Sequence, residues 1–237
     1  MGVSPGSQST GSFALENYPQ LRGCMKELES LVVRVANGDN PGVLVDYLFE
    51  NLDDDRAHVI AALSEPFEIV KYLFDSIDPA LAFELPFTDL EKLELLTEHS
   101  NLDNRTLFEL ACDFAEAVLP VFESWNPADH RPKNALVAMR KWAAGDLVDQ
   151  EMREARANFL NSVRAEGDSR IAVQAVSIAT GFDSWADHCI GVFAARDTAK
   201  TARKILGNDG AKLQLEICRK RIAATGELTK RPESNDI

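Results

Sequence analysis

The sequence predicts an all-α protein, arranged as a multi-helix bundle or as stacked helical hairpins, in one or two helical subdomains. Apolar residues recur at three- and four-residue steps along most of the 237-residue chain, which is the period of one helix face. No alternating apolar segment bounded by hairpin turns occurs, so a β-sheet fold is not indicated. With 45% apolar and 27% charged residues, the composition is that of an ordinary globular protein.

The first part of the chain carries the signals of a leader and several short helices. Residues 1–18 are rich in Gly, Ser and Pro and are predicted to be a flexible leader. A helix is predicted from Leu21 to a stop at Asn37-Gly38. Further helices are predicted from Pro41 to Leu52, after an Asp53-Asp54-Asp55 cap, from Glu65-Pro66 to a break at Asp78-Pro79, and from a Thr88/Glu91 capping box.

The second part predicts longer helices. A clear apolar stripe precedes Pro120, which is expected to end or kink its helix, and Trp125-Asn126-Pro127 is the predicted turn. The following helices are predicted up to Gly145, after a cap at Asp146 or Asp149, from Asp168 to a left-handed Gly181, from Trp185 to Leu206, and from Lys212 to Ala224. The predicted core comprises Leu107, Phe114, Val118, Phe122, Leu136, Met139, Phe159 and Val176.

Charge divides the chain unevenly. Residues 1–100 hold 18 Asp and Glu against 6 Lys and Arg, whereas residues 101–237 hold 20 against 19. We place a domain boundary in the polar stretch 98–105, giving an acidic subdomain over 19–100, a second subdomain over 101–225 and a tail over 226–237. A field of one sign repels nucleic acid and steers a basic partner, although solubility alone also explains net acidity.

Residue types that could carry catalysis or bind a metal are present, but they do not occur at the spacings of known catalytic or metal-binding motifs. The four His residues are far apart, and no nucleotide-binding glycine loop or serine-hydrolase elbow occurs. The four Cys residues form no C-x-x-C pair and are predicted to be reduced core residues of a cytoplasmic protein. We therefore expect no enzyme activity, no metal, no cofactor and no direct nucleic-acid binding. No apolar run approaches the ~20 residues of a membrane helix.

One segment resembles a known family. The residues that carry the resemblance are Val118-Leu119-Pro120 with Phe122, Asp129, Arg131-Pro132-Lys133, Ala138, Arg140, Trp142, Ala143 and Gly145. Over about residues 108–200 this pattern is similar to the immunity-protein-5-like (Imm-5-like) family of bacterial toxin systems. The resemblance implies a cytoplasmic, non-catalytic inhibitor that binds a cognate toxin.

Two sets of residues are candidates for the partner contact. The acidic set is predicted to steer a basic protein surface, such as that of a nuclease-type toxin: Asp53, Asp54, Asp55, Glu91, Glu94 and Glu98. The second set is the turn Asp129-His130-Arg131, for which a role in holding the scaffold is favoured over a partner contact. The remaining motif residues Pro132, Arg140, Trp142 and Gly145 are predicted to be structural.

Other functions stay open from the sequence alone. The chain could be an acidic helical scaffold, or a nucleic-acid mimic that inhibits another protein. It could also be a helical enzyme whose site the sequence does not reveal. A further alternative is a homodimer in which the basic C-terminal stretch of one copy pairs with the acidic first half of the other.

Overall fold

The computed structural model describes residues 21–40, 42–52, 63, 65–73, 77–161, 164–181 and 190–225. Within these residues the chain forms eleven α-helices and no strand, which confirms the predicted all-α fold. The leader, the tail and the proposed Asp53-Asp54-Asp55 cap lie outside the described residues.

The helices are numbered in chain order. They are α1 (Leu21–Ala36), α2 (Gly42–Leu52), α3 (Pro66–Leu73), α4 (Pro79–Glu84), α5 (Asp89–Glu98), α6 (Asn104–Trp125), α7 (Arg131–Ala143), α8 (Asp149–Leu160), α9 (Gly167–Ala179), α10 (Ile190–Leu206) and α11 (Gly210–Thr225).

Internal contacts divide the chain into two compact units, residues 1–75 and 76–237. In the first unit, α1 packs against α2 and α3. The buried side chains there include Val32 and Val35 of α1, Leu44 of α2 and Ile69 of α3. They recur at helical spacing, so each of these helices buries one stripe and exposes the other.

The second unit is organised around α6, which packs against α7, α9, α10 and α11. Every residue of the core predicted from sequence is buried. Phe114 and Phe122 of α6 and Phe159 of α8 are among the largest side chains that are fully buried. Each such side chain contributes roughly 1.5–3 kcal/mol through removal of its surface from water.

Small residues let the central helices of this unit approach closely. Ala172, Ala175 and Ala179 of α9 and four alanines of α10 are buried against the core. At the start of α10, an added Cβ on Gly191 would lie 2.7 Å from the Asn104 side-chain oxygen and 3.0 Å from Leu107 Cβ. Glycine is therefore required where α10 passes the first turn of α6.

Several predicted start and stop signals have the geometry expected of them. Thr88 and Glu91 form the predicted capping box, in which the Thr88 backbone N–H donates to Glu91 Oε2 at 2.8 Å and the Glu91 N–H donates to Thr88 Oγ1 at 3.3 Å. Helix α1 ends at Ala36, and Gly38 follows with a φ of 102°. Asp103, which the sequence did not single out, caps α6 by accepting the N–H of Thr106 at 2.6 Å.

Pro120 was predicted to end or kink its helix, and it does not end it, since α6 continues through it to Trp125. Proline removes one backbone donor and leaves the carbonyl four residues earlier without its partner. Both Pro120 and Glu116, which carries that carbonyl, are exposed. Water can therefore satisfy the carbonyl at little cost.

Two further local predictions are wrong. Gly181 does not have a positive φ. Helix α9 ends at Ala179, and its C-cap residue Thr180 donates its hydroxyl to the Val176 carbonyl at 2.8 Å. Neither Asp146 nor Asp149 caps α8. The Val148 N–H donates to Glu151 Oε2 at 3.2 Å, while Asp149 accepts a bond from another helix.

The sequence places a domain boundary near residue 100, and this point falls inside the second compact unit. Helix α5 packs against α10 and α11. Glu98 at its end lies 3.6 Å from both Arg196 and Lys200 of α10. Residues 99–103 therefore connect α5 and α6 within one compact unit. Among the described helices, none has the length and apolar character needed to span a bilayer.

Candidate functional site

The turn before α7 is held by an aspartate–arginine clamp. Asp129 Oδ1 accepts from Arg131 Nε at 2.7 Å and from the Arg131 backbone N–H at 3.1 Å, and Asp129 Oδ2 pairs with Arg131 Nη2. The side-chain hydrogen bond from Arg131 lowers the pKa of the Asp129 carboxyl. These two charges satisfy each other, so the clamp fixes the turn conformation.

His130 and Pro132 divide the same turn into an exposed and a buried residue. His130 is exposed, and its side chain makes no capping hydrogen bond to α7. Pro132 is buried in the first turn of α7, where a proline costs no helical hydrogen bond. Of the predicted contact residues in the turn, His130 is therefore the one that presents a side chain outward without an internal role.

A cluster of ion pairs joins α6, α7 and α11, and we call its members Glu109, Asp113, Glu116, Arg140 and Arg221 the arginine–carboxylate cluster. Arg140 Nη2 donates to Asp113 at 2.8 Å and to Glu116 at 2.6 Å. Arg221 donates to both oxygens of Asp113, at 2.8 and 2.7 Å, and to Glu109 at 3.0 Å. Asp113 is the centre of the cluster, because both guanidinium groups bind it.

The cluster is only partly exposed to water, with the Asp113 side chain 16% exposed and that of Arg221 27% exposed. Burial by itself would lower the pKa of Arg140, but hydrogen bonds to Glu116 and Asp113 outweigh burial and raise it. Breaking such a pair leaves an uncompensated charge in a poorly solvated place. The cluster is suited to fixing the angles between α6, α7 and α11.

Two buried thiols lie on the helices that carry the cluster. Cys112 and Cys218 are free cysteines, as the sequence predicts, whereas Cys24 and Cys189 lie where no side chain is described. Burial raises the pKa of the Cys112 thiol to about 12 and also raises that of Cys218. Both therefore remain protonated at neutral pH and behave as core residues.

Trp142 and Gly145 close α7 onto its neighbours. The Trp142 indole N–H donates to Asp149 Oδ1 at 2.7 Å, and its ring meets the edge of Phe108 with centroids 5.4 Å apart. Gly145 has a φ of 82°, and the Asp146 N–H reaches back to the Lys141 carbonyl at 2.8 Å. This is a Schellman ending, which favours glycine at the left-handed position.

The described members of the predicted acidic contact set all belong to α5, and each is engaged within the chain. Glu91 is engaged in the capping box and Glu98 in ion pairs with α10. Glu94 is half-buried and has interactions of its own. Asp53, Asp54 and Asp55 lie outside the described residues. Their role as steering residues stays a prediction.

The structure joins residues that the sequence treated separately. Arg140, which was predicted to be structural, pairs with Asp113 and Glu116. Arg221 pairs with Asp113 and Glu109, and none of these partners was singled out from the sequence. The 109, 113, 116 spacing places three acids along one face of α6, which was the available signal. Among the described residues, no group of three His, Cys, Asp or Glu side chains could hold a metal ion.

A protein-family model described as Imm-5 like putative immunity protein matches residues 97–221. The match spans more than half of the chain and contains the clamp, the whole arginine–carboxylate cluster, Trp142 and Gly145. Neither a curated protein nor a solved structure matches the chain.

Proposed function

Because the chain belongs to the Imm-5-like immunity protein family, we propose that it binds a cognate bacterial toxin and neutralises it by protein–protein contact without catalysis. The family match over residues 97–221 is the observation that carries this proposal. We further propose that the chain acts in the cytoplasm, where an immunity protein would meet a toxin that attacks an intracellular target.

The charge of the chain supports a toxin with a basic surface. Residues 1–100 hold 18 acidic against 6 basic residues, and such a field raises the association rate with a positively charged protein. Enzymes that act on nucleic acids carry basic surfaces for the phosphate backbone. A nuclease-type toxin is therefore the class of partner that we propose.

The contacts within the described residues support a scaffold role for most of the matched motif. Asp129 and Arg131 bind each other, Arg140 binds two acids of α6, and Trp142 and Gly145 close α7. Residues committed in this way hold helices in place and leave little to offer a partner. His130, which is exposed and makes no capping hydrogen bond, is the residue of the turn best suited to contact a toxin.

The proposal is tested by sequencing the genes on either side of the gene for this chain and co-expressing the chain with each neighbouring gene whose product arrests growth. We expect the intact chain to restore growth of cells that produce the toxin, and purified chain and toxin to form a stable complex. Growth that remains arrested, together with no complex in gel filtration, would contradict the proposal.

Charge-reversal variants then locate the steering surface. We expect Asp53→Lys/Asp54→Lys/Asp55→Lys to slow association with the toxin and to weaken the salt dependence of the rate. The matched control is Asp146→Lys/Asp209→Lys/Glu216→Lys, which reverses three exposed acids of the second unit. If both variants slow association equally, only net charge matters. If His130→Ala alone abolishes binding, the turn is the contact.

A further inference from the structure

A cleft in the second unit combines apolar and positively charged side chains. It has a volume of about 530 Å³ and lies where the last residue of α6, the last residue of α8, residues 164–166 and one side of α9 come together. We call it the Trp125 cleft, and its lining consists of Trp125, Leu160, Arg164, Ala165, Glu166, Arg170, Val173, Gln174 and Ser177.

The apolar wall of the cleft exposes two large side chains. Trp125 is 47% exposed and Leu160 is 43% exposed, although each borders a well-packed core. The Trp125 ring leans on buried Phe122, with the ring centroids 5.9 Å apart and the planes at 46°. The indole is therefore held in place before any partner arrives, which reduces the entropic cost of contacting it. Tryptophan in such a setting is the residue type that most often dominates binding energy at interfaces.

The charged wall of the cleft carries two guanidinium groups that have no ion-pair partner among the described residues. Arg164 and Arg170 are both exposed, and neither forms an ion pair with any described residue. Glu166 is the single carboxylate among the lining residues. By contrast, Arg140 and Arg221 each form ion pairs with two acids. The free guanidiniums have planar donor faces that match carboxylates in two-point contacts.

We propose that the Trp125 cleft docks an acidic protein segment, in which an apolar side chain packs on Trp125 and Leu160 while neighbouring carboxylates pair with Arg164 and Arg170. This docking proposal rests on the proposed immunity function in one respect, which is that the acidic segment is taken to belong to the toxin. The two unpaired guanidiniums against one carboxylate supply the charge complementarity, and the exposed indole supplies the anchor. The positive cleft would bind an acidic part of the toxin, whereas the acidic first half of the chain would attract a basic part. Two contacts of opposite charge would fix how the two proteins are aligned in the complex.

The first experiment uses the full chain and defined peptides. The 1H–15N spectrum is recorded while an acetylated hexapeptide of alternating Asp and Leu is added, then the matched peptide of alternating Lys and Leu, then single-stranded oligothymidine. We expect saturable shifts of the Trp125 indole N–H and of α9 amides with the Asp peptide. Equal shifts with the Lys peptide, no shifts with the Asp peptide, or tighter binding of oligothymidine would each overturn the proposal.

Variants of the cleft separate the contribution of the two arginines to peptide binding from that of Trp125. We expect Arg164→Glu/Arg170→Glu to weaken binding of the Asp peptide at least about tenfold, which corresponds to ~1.4 kcal/mol. The control Lys204→Glu/Lys220→Glu makes the same change of charge at exposed lysines that do not line the cleft, and binding should be nearly unchanged. Trp125→Ala should also weaken binding, and Trp125→Phe should restore part of it. An equal loss in the control pair would show that the net charge of the chain governs binding and would overturn the proposal.

Toxin assays distinguish the docking proposal from the immunity proposal. If the Arg164→Glu/Arg170→Glu variant protects cells and binds toxin as well as the unaltered chain, the cleft is not the docking surface and the immunity function stands. If the Asp peptide binds the cleft but the unaltered chain gives no protection, docking stands and the immunity function fails. Loss of protection in the cleft variant, with its fold and control pair intact, would support both.

Discussion

Four arginines in the second unit belong to two different surroundings. Arg140 and Arg221 are in the arginine–carboxylate cluster, where each binds two acids of α6. Arg164 and Arg170 line the Trp125 cleft, where both are exposed and neither pairs with a described residue. The same side chain thus fixes helices in one place and remains available to a partner in the other.

An arginine of the second unit indicates a structural or a binding role only when its own partners are known. A guanidinium bound by two carboxylates in a half-buried position is costly to disturb and has no donor face to spare. An exposed guanidinium beside an exposed Trp is inexpensive to change and has the composition of an interface hot spot. The following predictions test whether stability and binding separate in this way.

The largest effect on stability is expected in the core behind the cluster. Phe114 is fully buried on α6, one residue after Asp113. Phe114→Ala should lower the free energy of unfolding by about 3–5 kcal/mol, because it removes apolar contact and leaves a cavity. Urea unfolding followed by circular dichroism measures the change. A loss below about 1 kcal/mol would mean that the packing around α6 is not as described.

The cluster should come next. Asp113→Asn keeps the shape of the side chain but removes the charge that both Arg140 and Arg221 bind, so we expect a loss of about 2 kcal/mol. Glu109 and Glu116 remain to compensate in part. The control Glu216→Gln alters an exposed acid on α11 and should change stability by less than about 0.5 kcal/mol. Equal effects of the two variants would remove the distinction between the cluster and ordinary surface charge.

Local signals made most of the fold predictable. The all-α class, the capping box at Thr88 and the stop at Asn37-Gly38 each depend on residues within a few positions of one another. The buried stripe of α6 is also periodic in sequence, and so its core residues Leu107 to Phe122 were identified correctly. Such features need no knowledge of the tertiary structure.

The wrong predictions share a physical cause, which is that tertiary surroundings decide them. Pro120 was expected to end or kink α6, but the helix continues through it, and the residue whose carbonyl it leaves unpaired is exposed, which a sequence does not show. Asp149 looked like a cap, yet its carboxylate is occupied by the Trp142 indole. A side chain that could form either of two contacts forms the one whose partner the tertiary structure brings closer.

The candidate sites were only half predictable for the same reason. The acids of α6 have a visible helical spacing, but Arg221 lies 108 residues from Asp113 in sequence. The Trp125 cleft was missed because Trp125 was interpreted only as part of a turn. Its exposure depends on where α8 ends and α9 begins, and no local pattern encodes that arrangement.

The clamp before α7 should give a smaller, pH-dependent effect. Arg131 lowers the pKa of Asp129 in the folded chain, so the ionised carboxylate stabilises the fold above the ordinary aspartate pKa. This stabilisation is lost as the pH falls through the lowered folded pKa. Asp129→Asn should thus be slightly less stable than the unaltered chain at neutral pH, and the two should converge in strong acid. Thermal unfolding of both across this pH range measures the difference, and a gap that widens on acidification would contradict the clamp.

The smallest effect on stability is expected at the Trp125 cleft. A small effect there beside a large effect in the arginine–carboxylate cluster would separate binding arginines from stabilising ones. Arg164 and Arg170 have no described ion pair to lose, so Arg164→Ala/Arg170→Ala should change the free energy of unfolding by less than about 0.5 kcal/mol. Urea unfolding of this variant beside Asp113→Asn measures the contrast. If removing the cleft arginines costs as much as breaking the cluster, they hold the fold together and are not free for a partner. If stability is unchanged while the Asp peptide no longer binds, the second unit separates its stabilising arginines from its binding arginines.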